Sequence, residues 1–461
     1  MSSDFQRAPS LAPAARVIRS HYGVVIGDRD MARVNAQLGR IAARDGLAVA
    51  LLVAWQHGLT IGHIPVDDHA NAQLLAVPAS AHCPYVFVHV PVRTIRGDHS
   101  ELIRRGIMNP QPDPTRLRRH DPVRSRHHDS EGVPDSWVTS ELLSTRRGSG
   151  EAHADAATGA CFLCSEAELT PHEASFGIPA DSAHAPTARD YAVGFTFAPF
   201  GDPAEVCHFL AWDHPGNDAP VLSMQPTDFS TTDLLTITSR VNDGLAQFCQ
   251  DYQLGAPPTI TGVCNHWAGN TIDHQHYQFF SLSTLPLLVA AREPGSVITI
   301  GQGLRVRRVT SWPAAAYVIE PMPGDDGVWD AHDPDPQVRT MVGRAADALA
   351  ALWNDLAASH TQNTVAYRCE GTDRALVIPR DRNRTATLPT LTGLRKVNAG
   401  VLEMLGYFLI DDAVDLQRIA GLGSAQRTAL GDAWLAALTP PAAEIAEFEA
   451  EVRAAPLAFT S

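Results

Sequence analysis

The alternation of apolar and polar positions along the chain predicts a mixture of helices and strands. Apolar side chains recur with helical spacing through residues 30–44, 228–251 and 338–360, and Ala-rich helical stretches follow residue 412. Strand-like patterns occupy residues 47–55, 59–66, 85–95, 191–197, 304–312, 315–320, 363–365 and 375–379, the last two as a pair. The pattern therefore predicts an α+β fold.

Composition marks off a polar segment in the first half of the chain. Residues 108–160 are rich in Pro, Arg, Asp, His and Ser and lack apolar periodicity, which predicts a polar linker or long loop. Before this segment, residues 1–107 are expected to form an N-terminal α+β lobe.

Composition and charge narrow the class of protein. The 461 residues carry a formal net charge of −15, which argues against a general nucleic-acid or acidic-membrane binder. The chain contains no apolar run of the ~18–20 residues that span a bilayer, its start lacks a signal-peptide plan, and its seven cysteines do not indicate a secreted disulfide framework. We therefore expect a cytoplasmic protein with small-molecule partners, no nucleic acid and no membrane, and a homodimer as the candidate assembly.

The most informative stretch, residues 263–282, reads VCNHWAGNTIDHQHYQFFSL. His274, His276 and Gln278 are spaced two apart, so on a strand their side chains would share one face, with Tyr277 on the other. Burying such polar groups without partners would cost about 1–3 kcal/mol each. This face is therefore expected to meet a ligand, a metal or water.

The residues before this pattern add candidate phosphate contacts. Asn265, Gly269 and Asn270 predict a tight loop whose backbone N–H groups could meet a phosphate. Together with the His-x-His-x-Gln pattern, this loop predicts a phosphoryl-transfer site.

The segment GNTIDHQHYQ resembles the His-x-His-x-Gln signature of the transferase branch of the histidine-triad superfamily, which includes uridylyltransferases and nucleotide phosphorylases. The resemblance implies a core of two antiparallel half-repeats: the first, residues 161–290, carries the zinc and catalytic motif, and the second, residues 291–461, is degenerate and includes the C-terminal helices. It implies His276 as the nucleophile and Gln278 as the residue that holds the phosphate. It also places Thr271 where uridylyltransferases carry a phosphate-binding Ser. The implied substrates are a nucleoside diphosphate-sugar or dinucleoside polyphosphate and a phosphate-type acceptor.

Gln278 helps to select the reaction. An amide cannot serve as a general acid at neutral pH, so the site suits a leaving group that is already a good anion, such as a phosphate ester. This favours nucleotidyl transfer or phosphorolysis through a nucleotidyl-His276 intermediate over a nucleotide-pyrophosphate hydrolase. Two further alternatives are a nucleotide-binding regulatory protein without turnover and a site recruited to another small-molecule biosynthetic reaction.

Cys161 and Cys164 form a Cys-x-x-Cys pair, which by its spacing alone is compatible with a metal site or a redox pair. The resemblance to zinc-bearing members of the superfamily implies that these two thiols join His214 and His274 in a structural Zn²⁺ site. Such a closed S₂N₂ site would tie three segments together and orient the first histidine of the pattern. Alternative ligands nearby are Cys207, His208 and Cys264.

The C-terminal half offers candidate cations. The resemblance implies a Pro-Arg element at Arg380 and a strand over residues 400–406, GVLEMLG. Arg380, Arg384 and Lys396, the sole lysine, are the best candidates for neutralising a phosphate chain.

Overall fold

The structure is a computed structural model. It describes residues 11–28, 30–60, 76–89, 193–197, 207–212, 221–225, 230–266, 277–280, 285–301, 303–322, 336–381, 384, 400–410 and 413–454. The described residues combine α-helices with antiparallel β-sheet, which confirms the predicted α+β class. None of the described helices is both long enough and apolar enough to cross a membrane.

The helices fall into an N-terminal group, long helices within the two halves of the chain, and a C-terminal group. They are α1 (Ala12–Ile26), α2 (Met31–Asp45), α3 (Leu47–Thr60), α4 (Thr231–Asp251), α5 (Pro286–Ala290), α6 (Pro336–Leu356), α7 (Val401–Met404), α8 (Ala413–Ala420), α9 (Ser424–Leu438) and α10 (Ala442–Ala454). The predicted helices over 30–44, 228–251 and 338–360 correspond to α2, α4 and α6. Side-chain oxygens of Asp30 and Ser230 cap α2 and α4 by accepting from backbone N–H groups.

The strands form a large sheet and a small one. They are β1 (Ala76–Val77), β2 (Val86–His89), β3 (Val193–Phe197), β4 (Cys207–Trp212), β5 (Val221–Gln225), β6 (Thr261–His266), β7 (Tyr277–Phe280), β8 (Ser296–Gly301), β9 (Leu304–Arg308), β10 (Tyr317–Pro321), β11 (His360–Cys369), β12 (Thr372–Asp381) and β13 (Tyr407–Ile410).

The large sheet is built from two similar halves. Its ten strands follow the order β3-β4-β5-β7-β6-β11-β12-β10-β9-β8. In each half three antiparallel strands precede a 21-residue helix, α4 or α6, and two further strands follow it, the last of which pairs with the third. The two halves join where β6 pairs antiparallel with β11. The two-half organisation expected of the core is therefore present in the connectivity of the sheet.

The faces of this sheet are covered by two hydrophobic clusters. The first packs Tyr277 and Phe279 of β7 beneath α3, α4, α6 and α10. The second packs Val263 and Phe280 together with residues of α5, α7, α9 and β13. Gln278 lies between Tyr277 and Phe279, so its side chain belongs to the second face. The predicted alternation along this strand is therefore correct over 277–280.

The N-terminal residues share both clusters with the rest of the chain. Helices α1 to α3 contribute to the first cluster, and β2 pairs parallel with β13 in a three-stranded sheet with β1. The predicted strand over 85–95 corresponds to β2 as far as His89. The proposed segment boundaries at 107 and 160, and the linker between them, lie outside the described residues.

The predicted strand over residues 47–55 is wrong, because these residues belong to α3. Residues 47–58 are all buried, and the helix packs between α1, α2 and α4. A helix that is buried on every side shows a continuous apolar run rather than one apolar stripe, and such a run resembles a buried strand. The adjoining predicted strand at 59–66 begins at the end of this helix, and its residues 61–66 lie outside the described part of the chain.

The strand expected over residues 400–406 is also wrong. Residues 401–404 form the single helical turn α7, and the strand β13 begins only at Tyr407. Glu403 accepts a hydrogen bond from the Gly400 N–H, and Gly406 adopts a φ of +86° that ends the turn. The strand was expected from the resemblance, and here these local contacts favour a helical turn instead.

The packing of α4 on α6 generates a first prediction. A Cβ added at Gly343 of α6 would lie 2.5 Å from the Thr232 Cα of α4, whereas one added at Gly23 of α1 would meet no atom within 4 Å. Gly343→Ala should lower the free energy of unfolding by about 1–3 kcal/mol through overpacking. The matched Gly23→Ala should raise it by up to ~1 kcal/mol, since Ala favours the helix. Equal denaturation midpoints for the two variants would contradict this account of the helix contact.

Candidate functional site

Gln278 is the member of the His-x-His-x-Gln pattern that the structure describes, and it lies on β7 in the first half of the sheet. Its backbone pairs with Ser223 of β5 on one side and Val263 of β6 on the other. The side chain is half-buried. The predicted histidines, His274 and His276, lie outside the described residues.

The opposite face of β7 is anchored to the start of α4. The Tyr277 hydroxyl accepts a hydrogen bond from the Ser230 N–H at 2.9 Å and donates to the Ser230 carbonyl at 2.7 Å. Burial raises the pKa of Tyr277 well above its ordinary value, and the nearby Cys264 adds to the rise. Tyr277 therefore stays neutral and holds the strand in place.

Asn265, a predicted phosphate ligand, lies near the end of β6 with its carboxamide held in one orientation. Its Oδ1 accepts from Asn363 Nδ2 at 2.8 Å and from the Val401 N–H of α7 at 2.8 Å. Both bonds use the oxygen, and among the described residues none accepts from the two Nδ2–H donors, which can therefore serve a ligand. The side chain is half-buried, which gives such a ligand access.

Arg380, a predicted phosphate-neutralising cation, supports this arrangement from β12. Its Nη1 donates to Asn363 Oδ1 at 2.8 Å, and its side chain is buried. Burial lowers the pKa of Arg380 to about 10, and the charge of Glu403 opposes that shift. The guanidinium therefore remains cationic at neutral pH.

These contacts form a continuous chain of hydrogen bonds from Arg380 through Asn363 to Asn265. It crosses three adjacent strands, β12, β11 and β6, on the same sheet face as Gln278. The sequence identified Asn265 and Arg380 as separate candidates, and the structure brings them together through Asn363. Asn363 was missed as a site residue, although an Asn inside a strand is unusual enough to draw attention.

Arg384, another predicted phosphate-binding residue, lies away from this chain of hydrogen bonds. Arg384 donates from Nη1 to the carbonyl of Thr439, the residue that ends α9, so its guanidinium holds a C-terminal helix. Gly269, Asn270, Thr271 and Lys396 lie outside the described residues.

The four predicted zinc ligands, Cys161, Cys164, His214 and His274, also lie outside the described residues. Within the described ranges no group of three or more His, Cys, Asp or Glu side chains is placed to hold a metal ion. Cys264, an alternative ligand, is a buried thiol on the Tyr277 face, and burial raises its pKa. A raised pKa favours the neutral thiol over the thiolate that binds zinc.

Comparison with known proteins gives limited information. No protein-family model and no curated protein sequence matches the chain. The crystal structure of yeast Ap4A phosphorylase Apa2 is similar at 15% sequence identity and a TM-score of 0.32, over 50% of this chain and 72% of that one.

The bond between Asn265 and Asn363 can be tested by a double-mutant cycle. Asn265→Ala and Asn363→Ala should show an interaction energy of about 0.5–3 kcal/mol in urea unfolding, because the two residues share one hydrogen-bonded chain. A control cycle pairs Asn265→Ala with Gln247→Ala, whose exposed side chain bonds to Asp251 on α4. That control should be additive to within ~0.5 kcal/mol. Additivity in both cycles would refute the coupling.

Proposed function

We propose that the chain is a nucleotidyltransferase of the phosphorylase type, acting on a nucleoside diphosphate-sugar or a dinucleoside polyphosphate. The observation that carries this proposal is the shared sheet face of Gln278, Asn265 and the buried cation Arg380. The two-residue spacing of the motif predicts that His276 leaves a continuing strand on the Gln278 face as well.

The proposed reaction takes two steps at the α-phosphorus. The neutral imidazole of His276 attacks this atom, a P–N bond forms, and the bridging P–O bond breaks, so that a sugar phosphate or nucleotide leaves as an anion. An oxygen of the acceptor phosphate then attacks the same phosphorus and breaks the P–N bond. The imidazole is regenerated and the nucleotidyl group ends on the acceptor.

In this proposal, described residues stabilise the negative charge on the phosphoryl group. Asn265 offers two amide N–H donors to a phosphoryl oxygen, and their direction is already fixed by the bonds to Asn363 and Val401. Arg380 adds a positive charge behind Asn363 in a site of low polarity, where charge acts more strongly than in water. Gln278 contributes an amide donor but no acid, in keeping with an anionic leaving group.

The proposal predicts a covalent intermediate. Incubation with ADP-, GDP- and UDP-sugars and with dinucleoside polyphosphates, without acceptor, should add one nucleoside monophosphate to the wild-type mass, while His276→Asn should gain none. Adding phosphate should discharge the adduct. Absence of an adduct together with absence of turnover on this panel would exclude the proposed reaction, and turnover in water without phosphate would identify a hydrolase.

A second variant tests the role of Asn265 independently of the nucleophile. Asn265→Asp keeps the oxygen that accepts from Asn363 and Val401 but replaces the two donors with a negative charge. Adduct formation should slow by at least about 100-fold, as expected for loss of one donor to a developing oxyanion. Because Asp and Asn have the same shape, the melting temperature of the variant should stay within a few degrees of wild type. An unchanged rate would remove Asn265 from the phosphate site.

We further propose a structural Zn²⁺ bound by Cys161, Cys164, His214 and His274. Its support is the sequence: two thiols and two imidazoles are the donor set that zinc prefers in closed tetrahedral sites. When bound, the ion would stabilise the fold and orient His274, with no part in the chemical step.

Cys161→Ser should therefore lower both the zinc content and the melting temperature of the purified protein. Elemental analysis of the wild type should give about one zinc per chain, in line with a single tetrahedral site. Cys249→Ser, at a buried thiol on α4, is the matched control and should keep its zinc. Undiminished zinc in Cys161→Ser would reject this ligand set.

A further inference from the structure

A second polar site lies in the C-terminal half, away from Gln278. A cavity of about 390 Å³ opens beside β9, β10 and β12. Its volume is within the range of small-molecule sites, ~300–1,000 Å³. Four arginines and three glutamates form its charged lining, among them Arg305, Arg307, Arg374 and Glu320.

Glu320, a fully buried carboxylate, organises the arginines of the cavity. It accepts hydrogen bonds from Arg305 Nε at 2.9 Å and Arg307 Nε at 2.7 Å, and it pairs with Arg374 Nη1 at 3.0 Å. Burial alone would raise the pKa of Glu320, but the bonds and charges of these arginines outweigh burial and lower it. Glu320 is therefore ionised and holds three guanidinium groups around one carboxylate.

The lining carries one more positive than negative charge, four arginines against three glutamates. Three guanidinium groups surround one carboxylate, and the exposed rim adds Arg292 together with Glu293 and Glu370. The Nη1 and Nη2 groups of Arg307 donate hydrogen bonds to the backbone carbonyls of Glu293 and Ala291, so this arginine has a structural role. Arg305 and Arg374, whose side chains are 37% and 16% exposed, are the arginines that can reach a ligand.

Two buried polar atoms beside Glu320 also lack partners. Arg374 Nε and the Tyr367 hydroxyl make no hydrogen bond with any described residue. Tyr367 pairs with Arg374 in the β11–β12 ladder, so their side chains lie on the same face. A buried donor without an acceptor is unfavourable, and Arg374 lines the cavity, so an incoming anion would supply the acceptor that its Nε lacks.

We propose that this cavity binds a small phosphate-bearing molecule through Arg305, Arg374 and Arg292. Several guanidinium forks around one space suit the multiple oxygens of a phosphate, and the volume leaves room for a small organic group. The site is separate from the proposed catalytic one. Arg374 and Arg380 lie six residues apart on β12, a distance of ~20 Å at the usual strand rise.

The test measures phosphate binding to the full-length protein by titration calorimetry, with sodium chloride of equal ionic strength as the reference. Arg305→Gln and Arg292→Gln should each weaken phosphate binding at least tenfold. Arg292 is exposed, so its variant should fold even if loss of Arg305 disturbs Glu320. The matched control Arg418→Gln changes an exposed arginine that pairs with Asp415 on α8 and should bind as wild type does.

The His276→Asn variant separates this site from an acceptor site at the proposed nucleophile. Phosphate binding that is retained in His276→Asn but lost in both cavity variants supports the cavity proposal. This result would hold even if the experiments on nucleotidyl transfer excluded the proposed reaction. The proposal is overturned if wild type binds no phosphate beyond the chloride reference. It is equally overturned if Arg305→Gln and Arg292→Gln bind phosphate as tightly as Arg418→Gln does.

Discussion

The pairing of β6 with β11 is the interaction on which the rest of the structure depends. Each half of the large sheet would end at an open edge without this ladder, and open edges invite pairing with other chains. With it, ten strands form one surface, and both hydrophobic clusters continue across the junction. The contact of α4 with α6 repeats the same junction in the helical layer, where Gly343 permits close approach.

The hydrogen-bonded chain from Arg380 to Asn265 crosses this junction rather than lying within one half. Burial of an unpaired guanidinium is unfavourable. Here the hydrogen bond to Asn363 and the negative charge of Glu403 offset the loss of hydration of Arg380. The backbone register that pairs Asn265 with Asn363 also fixes the direction of the amide donors. The candidate phosphate site is therefore complete only when the two halves of the sheet have paired.

Local patterns predicted most of the architecture, and long-range packing decided where they failed. The amphipathic stretches of α2, α4 and α6 were predictable because the periodicity of each reflects one buried face. Helix α3 was not predictable, because a helix that is buried on all sides lacks the alternation of apolar and polar positions that marks a helix in sequence. At the site, Asn265 and Arg380 were recognisable by chemistry. Their connection through Asn363 could not be predicted. It depends on the register in which β6 pairs with β11, and neither strand's sequence specifies that register by itself.

The parallel pairing of β2 with β13 has a consequence for how the protein is made. Val86 finds its partner Tyr407 only near the other end of the sequence, and α1 to α3 share their core with Phe448 of α10. During synthesis on the ribosome, the largely apolar helix α3 is complete long before α10, which shares its hydrophobic cluster, has been translated. Contacts between such distant segments form late and leave apolar surface open to aggregation. The sequence separation of these partners therefore leaves the apolar face of the N-terminal helices incompletely covered until the last helices are synthesised.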